Sequence, residues 1–192
     1  MKKFVSILLA TIMFISCIAF LSSCSSKSKK FDELASFISK NGVESNGEIA
    51  ITKDLSELGE AWKDNTAVIT ISYDKTTGYI TMEETIEYDG YTACYRAVCN
   101  KNSENVDVIV EYTYADHKDH YKGYIQKGSF SNTNRETAVF GFETNSAPLG
   151  EANAKATLGV SINLLLSHTK FLLINVNSPV SLDEIGFNSY FK

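Results

Sequence analysis

Two histidines and two carboxylates fall within five residues at Asp116-His117-Lys118-Asp119-His120, the side-chain types that ligate first-row metals or move protons. Side chains three apart in a turn can converge, which makes Asp116, His117, Asp119 and His120 a candidate metal set. Lys118 repels a cation, however, and the third histidine, His168, falls on a stretch that reads as buried helix. A solvated charged turn is therefore the plainer reading. His168 has the chemistry of a general base, but no Gly-x-Ser-x-Gly elbow accompanies it, so a histidine satisfied within its helix is expected. Glu84 stands on an otherwise apolar strand face beside Tyr95, where an unpaired carboxylate is expensive. Either that face is wet or Glu84 has a partner, and Glu84 with Tyr95 is a candidate ligand-facing pair. Nine of the ten tyrosines lie between Tyr73 and Tyr124. Such a concentration can bind sugars or acyl chains, although tyrosine is also a favoured residue of half-buried strands. No residue set calls for a cofactor.

The elements that must position these groups follow from hydrophobic period and turn chemistry. Phe31, Leu34, Phe37 and Ile38 share one helical face, with Asn41-Gly42 as the stop. Seven strand-like segments follow at 48–52, 67–73, 79–88, 91–100, 106–115, 120–127 and 137–144, an antiparallel meander. Between the first two, Leu55, Leu58 and Trp62 suggest a helical turn. Asp89-Gly90 is a two-residue hairpin signal that predicts a type I′ turn. Pairing outward from Tyr88 with Tyr91 places Ile86 against Ala93, Glu84 against Tyr95, Met82 against Ala97 and Ile80 against Cys99 on one face. The other face pairs Glu83 with Arg96. Pro148 fits the first turn of a long helix whose stripe is Leu158, Ile162, Leu165, Thr169 and Leu172, widened by Val160, Leu164, Leu166 and Phe171. Ser181 to Glu184 has the capping-box pattern of a short helix closed by Gly186, with Phe187, Tyr190 and Phe191 as a final clamp. The expected fold class is α+β, a sheet of about seven strands curved around a long C-terminal helix, with short helices at either end. In element order, residues 31–192 resemble the half-barrel lipoproteins and carriers of bacterial envelopes. That resemblance implies a concave sheet able to enclose an apolar ligand.

The N-terminus has a different grammar. Met1-Lys2-Lys3 is positive, and 4–21 is an uncharged apolar run followed by small residues, the pattern of a signal peptide. Leu21-Ser22-Ser23-Cys24 resembles the lipobox of bacterial lipoproteins. The resemblance implies cleavage after Ser23, a diacylglyceryl thioether on Cys24 and membrane lipid as a partner. The expected organisation is a signal peptide at 1–23, a lipidated basic tether at 24–30 and one α+β domain at 31–192. The tether spans at most about 25 Å.

Lys2 and Lys3 leave with the signal, so the 18 basic residues fall to 16 against 23 acidic ones, a net charge of −7. That sign argues against nucleic acid as a partner. Cys94 and Cys99 lie in one predicted strand, on opposite faces and ~16 Å apart, which forbids a disulfide between them. Together these features lead to the expectation of an exported lipoprotein, lipid-anchored on the extracytoplasmic side of a cell membrane. Its domain would be a non-enzymatic module for an apolar small molecule or an envelope protein. The alternatives are an envelope hydrolase or metal-dependent enzyme using His117 and His120, and a purely structural lipoprotein.

Overall fold

The structure is a computed structural model, and it describes residues 26–128, 138–145 and 150–187. Residues 26–41 form the first helix, α1, whose last turn is closed by a 2.8 Å bond from the Gly42 amide to the Ile38 carbonyl. Phe31, Leu34, Ala35 and Ile38 are its buried face. The helix thus starts at least five residues ahead of the expected boundary and takes in Ser26 to Lys30 of the expected tether. Lys30 explains part of this, because it pairs with Glu33 one turn on, at 2.9 Å, and with Glu184 at 3.5 Å. Cys24 lies outside the described residues, as do Pro148, Tyr190 and Phe191.

Eight strands form a single antiparallel sheet in sequence order: β1 (Val43–Ser45), β2 (Glu48–Asp54), β3 (Ala67–Asp74), β4 (Ile80–Tyr88), β5 (Tyr91–Cys99), β6 (Asn105–Tyr114), β7 (Lys118–Gln126) and β8 (Phe140–Thr144). The expected meander is present with one strand more. The addition is β1, joined to β2 through Asn46 and Gly47 at φ values of 52° and 85°. Two positive values in succession are what a type I′ turn demands. At Asp89-Gly90 only Gly90 has positive φ, at 90°, as in type II rather than the predicted type I′. The register is nonetheless the expected one from Tyr88↔Tyr91 to Ile80↔Cys99. Arg96 donates to Glu83 across the outer face at 2.6 Å. Leu55–Leu58 and Glu60–Trp62 are two short 3₁₀ turns separated by Gly59, where a helical turn was expected.

Alternation in β4 to β7 turns one face of the sheet inward, and the second helix, α2 (Gly150–Asn175), lies across it. Each residue of the predicted stripe, Leu158, Ile162, Leu165, Thr169 and Leu172, is 0% exposed. They meet Ile69, Ile71, Ile80, Met82, Val108 and Val110 of the sheet in one core. Leu158 packs near Gly123 of β7, where the backbone carbonyl of Phe140 approaches so closely that a Cβ would sit 2.8 Å from it. The opposite side of α2 is less covered. Val160, Leu164 and Ile174 are partly exposed, so the helix is buried along its predicted stripe but not all round.

The hairpin turns β4–β5 and β6–β7 gather at one end of the strands, and the turns β3–β4 and β5–β6 gather at the other. The start of α1 belongs to the second end. There Asp32 pairs with Lys101 of the β5–β6 turn at 3.0 Å, and Lys127 lies over the Phe31 ring. The segment after α2 also packs here. Glu184 accepts a 2.8 Å bond from the Ser181 amide, half of the predicted capping box, and Gly186 closes the turn at φ 107°.

Candidate functional site

Register alone sets Glu84 between Ile69 of β3 and Tyr95 of β5 on the inward face. The chain places α2 over it, and His168 is the partner: its Nδ1 and the Glu84 Oε1 share a hydrogen bond of 2.7 Å. Glu84 is 0% exposed and His168 6%. An ionised carboxylate taken out of water pays several kcal/mol unless it is paired, which is why a histidine on the buried helix face answers it. The second carboxylate oxygen, Oε2, has no hydrogen-bond partner among the described residues. Trp62, the one tryptophan of the chain, lies edge-on to the His168 ring at 4.7 Å between centroids and reaches Phe171 at 5.5 Å. The 3₁₀ turn after β2 thus fastens itself to α2 through the imidazole.

A second polar contact sits two helical turns before the first. Ser161, 4% exposed on α2, is the polar neighbour of the Tyr95 and Tyr112 phenols, whose rings meet edge-on at 6.4 Å between centroids. Burial pushes both phenols above the ordinary tyrosine range. Tyr95 stands opposite Glu84 in register, as expected, but its ring packs edge-on against Tyr112, and the Glu84 carboxylate is served by His168.

From Tyr112 an aromatic row runs outward along the inner face. Its ring centroids are 6.1 Å from Tyr121 and 6.0 Å from Tyr91; Tyr91 is 5.4 Å from Tyr114 and stacks on Tyr88 at 4.8 Å. Tyr114 stacks in turn on His117 at 4.4 Å. Exposure rises along the row from 3% at Tyr121 to 47% at Tyr88. Among the described residues, α2 crosses the middle of the sheet and leaves this end of the inner face half-buried, with Tyr88 exposed.

The candidate metal set is divided by the same alternation. His117 bonds Asp116 through Nδ1 at 2.8 Å, and its Nε2 is 4.0 Å from Asp119. That bond holds the Asp116 carboxyl below its usual value. His120 lies in β7, which begins at Lys118 rather than at 120, so it points to the face opposite Asp119 and Tyr121. Lys118 is occupied by Glu111 at 2.8 Å. Among the described residues, no group of three or more His, Cys, Asp or Glu side chains is placed to hold a metal ion.

Glu84 and His168 were each visible in the sequence, but their pairing was not, since 84 residues separate them. Trp62 and Ser161 were missed as participants. The signal available for Ser161 was its position in the buried stripe of α2.

These features define an α+β protein with an eight-stranded antiparallel meander laid over one long helix, a buried Glu–His pair between the layers and a tyrosine row at one sheet end. Comparisons with protein-family models, with curated proteins and with solved structures return no match for this chain.

Proposed function

We propose that the chain is an exported lipoprotein, anchored through acylated Cys24 on the extracytoplasmic side of a membrane, whose domain is a non-enzymatic interaction module for an envelope protein. The observation that carries the module reading is the half-open tyrosine end of the inner sheet face. The rest of that face is packed by α2, with Leu158, Ile162, Leu165 and Leu172 all at 0% exposure. Space for an acyl cargo between the described sheet and helix is therefore taken by side chains, and a partner meets the domain from outside.

The anchor reading draws support from the place of α1. Its described residues begin two positions after Cys24, at the end of the strands that also carries Lys101 and Lys127. Lys27 and Lys29 on its first turn suit anionic head groups. Against an enzymatic reading stands the burial of the Glu84–His168 pair, which offers no open cleft with convergent acid, base and nucleophile.

Labelling cells with palmitate tests the anchor. Label on the wild-type protein and none on Cys24→Ala, with the variant released from the membrane fraction, is the expected result. An unlabelled wild type, or label retained by Cys24→Ala, rejects it.

A further inference from the structure

We infer that the tyrosine end of the sheet is a docking surface for a cationic, lysine- or arginine-rich segment of a partner protein, a deeper form of the interaction-module reading on which it rests. Two observations point to a cation, and a third to a partner that arrives from the side away from the bilayer. The row ends at Tyr88, 47% exposed and stacked on Tyr91 by one face only, with Tyr91 and Tyr114 half-buried beside it and Tyr114 stacked on His117. A tyrosine face attracts ammonium and guanidinium groups.

The two hairpin turns that frame the row are acidic. Glu87 and Asp89 flank Tyr88, and Asp116 and Asp119 flank His117. Among the described residues no lysine or arginine pairs with any of these four carboxylates, and the neighbouring Lys118 is held by Glu111. An anionic headgroup, phosphate or acidic peptide is repelled from such a rim, and a basic segment is drawn to it.

The third observation is orientation. Nine residues of β5 set Tyr91 and Cys99 about 27 Å apart. The lysines of α1 and of the β5–β6 turn lie at the Cys99 end, and the acidic tyrosine end is the opposite one. With the anchor at the start of α1, the acidic aromatic face looks away from the bilayer, where a partner's basic segment is free to reach it.

Binding is measured by fluorescence anisotropy on the full chain in nanodiscs at 150 mM salt, with fluorescein-labelled decalysine as the probe and decaglutamate as its counterpart. Saturable binding of decalysine alone is expected. Removing the exposed ring, in Tyr88→Leu, weakens it by a factor of about two to five. Glu87→Gln with Asp89→Asn, on the exposed turn, weakens binding and flattens its salt dependence. Glu104→Gln at the other end leaves it unchanged. Trp62 emission reports whether each variant retains its fold, and the turn variant stands in if the tyrosine variant does not.

Absence of saturable decalysine binding overturns the inference. So does equal weakening by Glu104→Gln and the turn variant, or displacement of decalysine by a neutral oligosaccharide, which would make the row a sugar platform. Palmitate labelling of the same preparation separates the two readings. Label without peptide binding sinks the docking surface alone, and peptide binding without label sinks the anchor alone.

Discussion

Replacing His168 by alanine isolates the energetics of the buried pair. The substitution leaves Glu84 at 0% exposure with both carboxylate oxygens unpartnered, because Oε2 has no bond among the described residues and Oε1 loses its only one. Breaking a buried pair from one side destabilises by about 3 to 5 kcal/mol. Trp62 also loses one of the two rings it packs on, keeping Phe171. Urea unfolding, followed by the emission of the single tryptophan, reads the change directly. With an m-value of about 2 kcal/mol/M, the midpoint falls by about 1.5 to 2.5 M. The double replacement Glu84→Met, His168→Leu removes both polar groups and keeps the volume, and it is expected to recover most of the loss or exceed the wild type by about 1 to 4 kcal/mol. If His168→Ala lies within about 1 kcal/mol of wild type, the carboxylate does not depend on the imidazole, and the account of why a histidine sits under α2 is wrong.

Three other outcomes follow from the packing. Leu165→Ala, at 0% exposure, lowers stability by about 2 to 5 kcal/mol, whereas Leu164→Ala next to it, at 40%, changes it by less than about 0.5 kcal/mol; thermal melts of the pair test the burial pattern of α2. Burial pushes the Cys99 thiol up to about 12, and burial first, then the Glu83 carboxylate, raises that of Cys94, so alkylation at pH 8 is slow until urea unfolds the domain; fast labelling of Cys99 in the native state contradicts its position. The Ser181 amide holds the Glu184 carboxyl below its ordinary value of 4.5, so the bond's contribution is complete above that value and is lost as pH falls through the lowered one. Glu184→Gln should therefore melt below wild type at neutral pH and converge with it in acid, and a difference that grows with acidity would reverse the sign.

Where local chemistry decides structure, the sequence was sufficient. The β4–β5 register needs only a two-residue turn and alternation, and all its pairs were legible from Asp89-Gly90 outward. The α2 stripe needs only a 3.6-residue period. Turn type proved harder, because a register of Tyr88 against Tyr91 is compatible with more than one two-residue turn and Asp89 is not obliged to take positive φ. The first hairpin was overlooked although Asn46-Gly47 is the stronger I′ signal of the two, since three residues of Val43–Ser45 give too little alternation to be read as a strand. The site was legible only as parts. Glu84 announced itself as a carboxylate in need of a partner, and His168 as a buried helical histidine, but their meeting depends on the angle at which α2 crosses the sheet. The row of tyrosines was visible as composition, whereas which end of it stays open is set by what α2 leaves uncovered.

The open sheet has two edges, and both are poor templates. On one side is β1, only three residues long, with Glu44 at its centre bound to Lys75. On the other is the five-residue β8, whose register with β7 is interrupted between Lys122 and Tyr124. Proteins confined to a surface reach local concentrations at which strand-to-strand pairing between copies becomes a hazard, and short or irregular borders block it. The meander thus ends on both sides in segments that do not propagate.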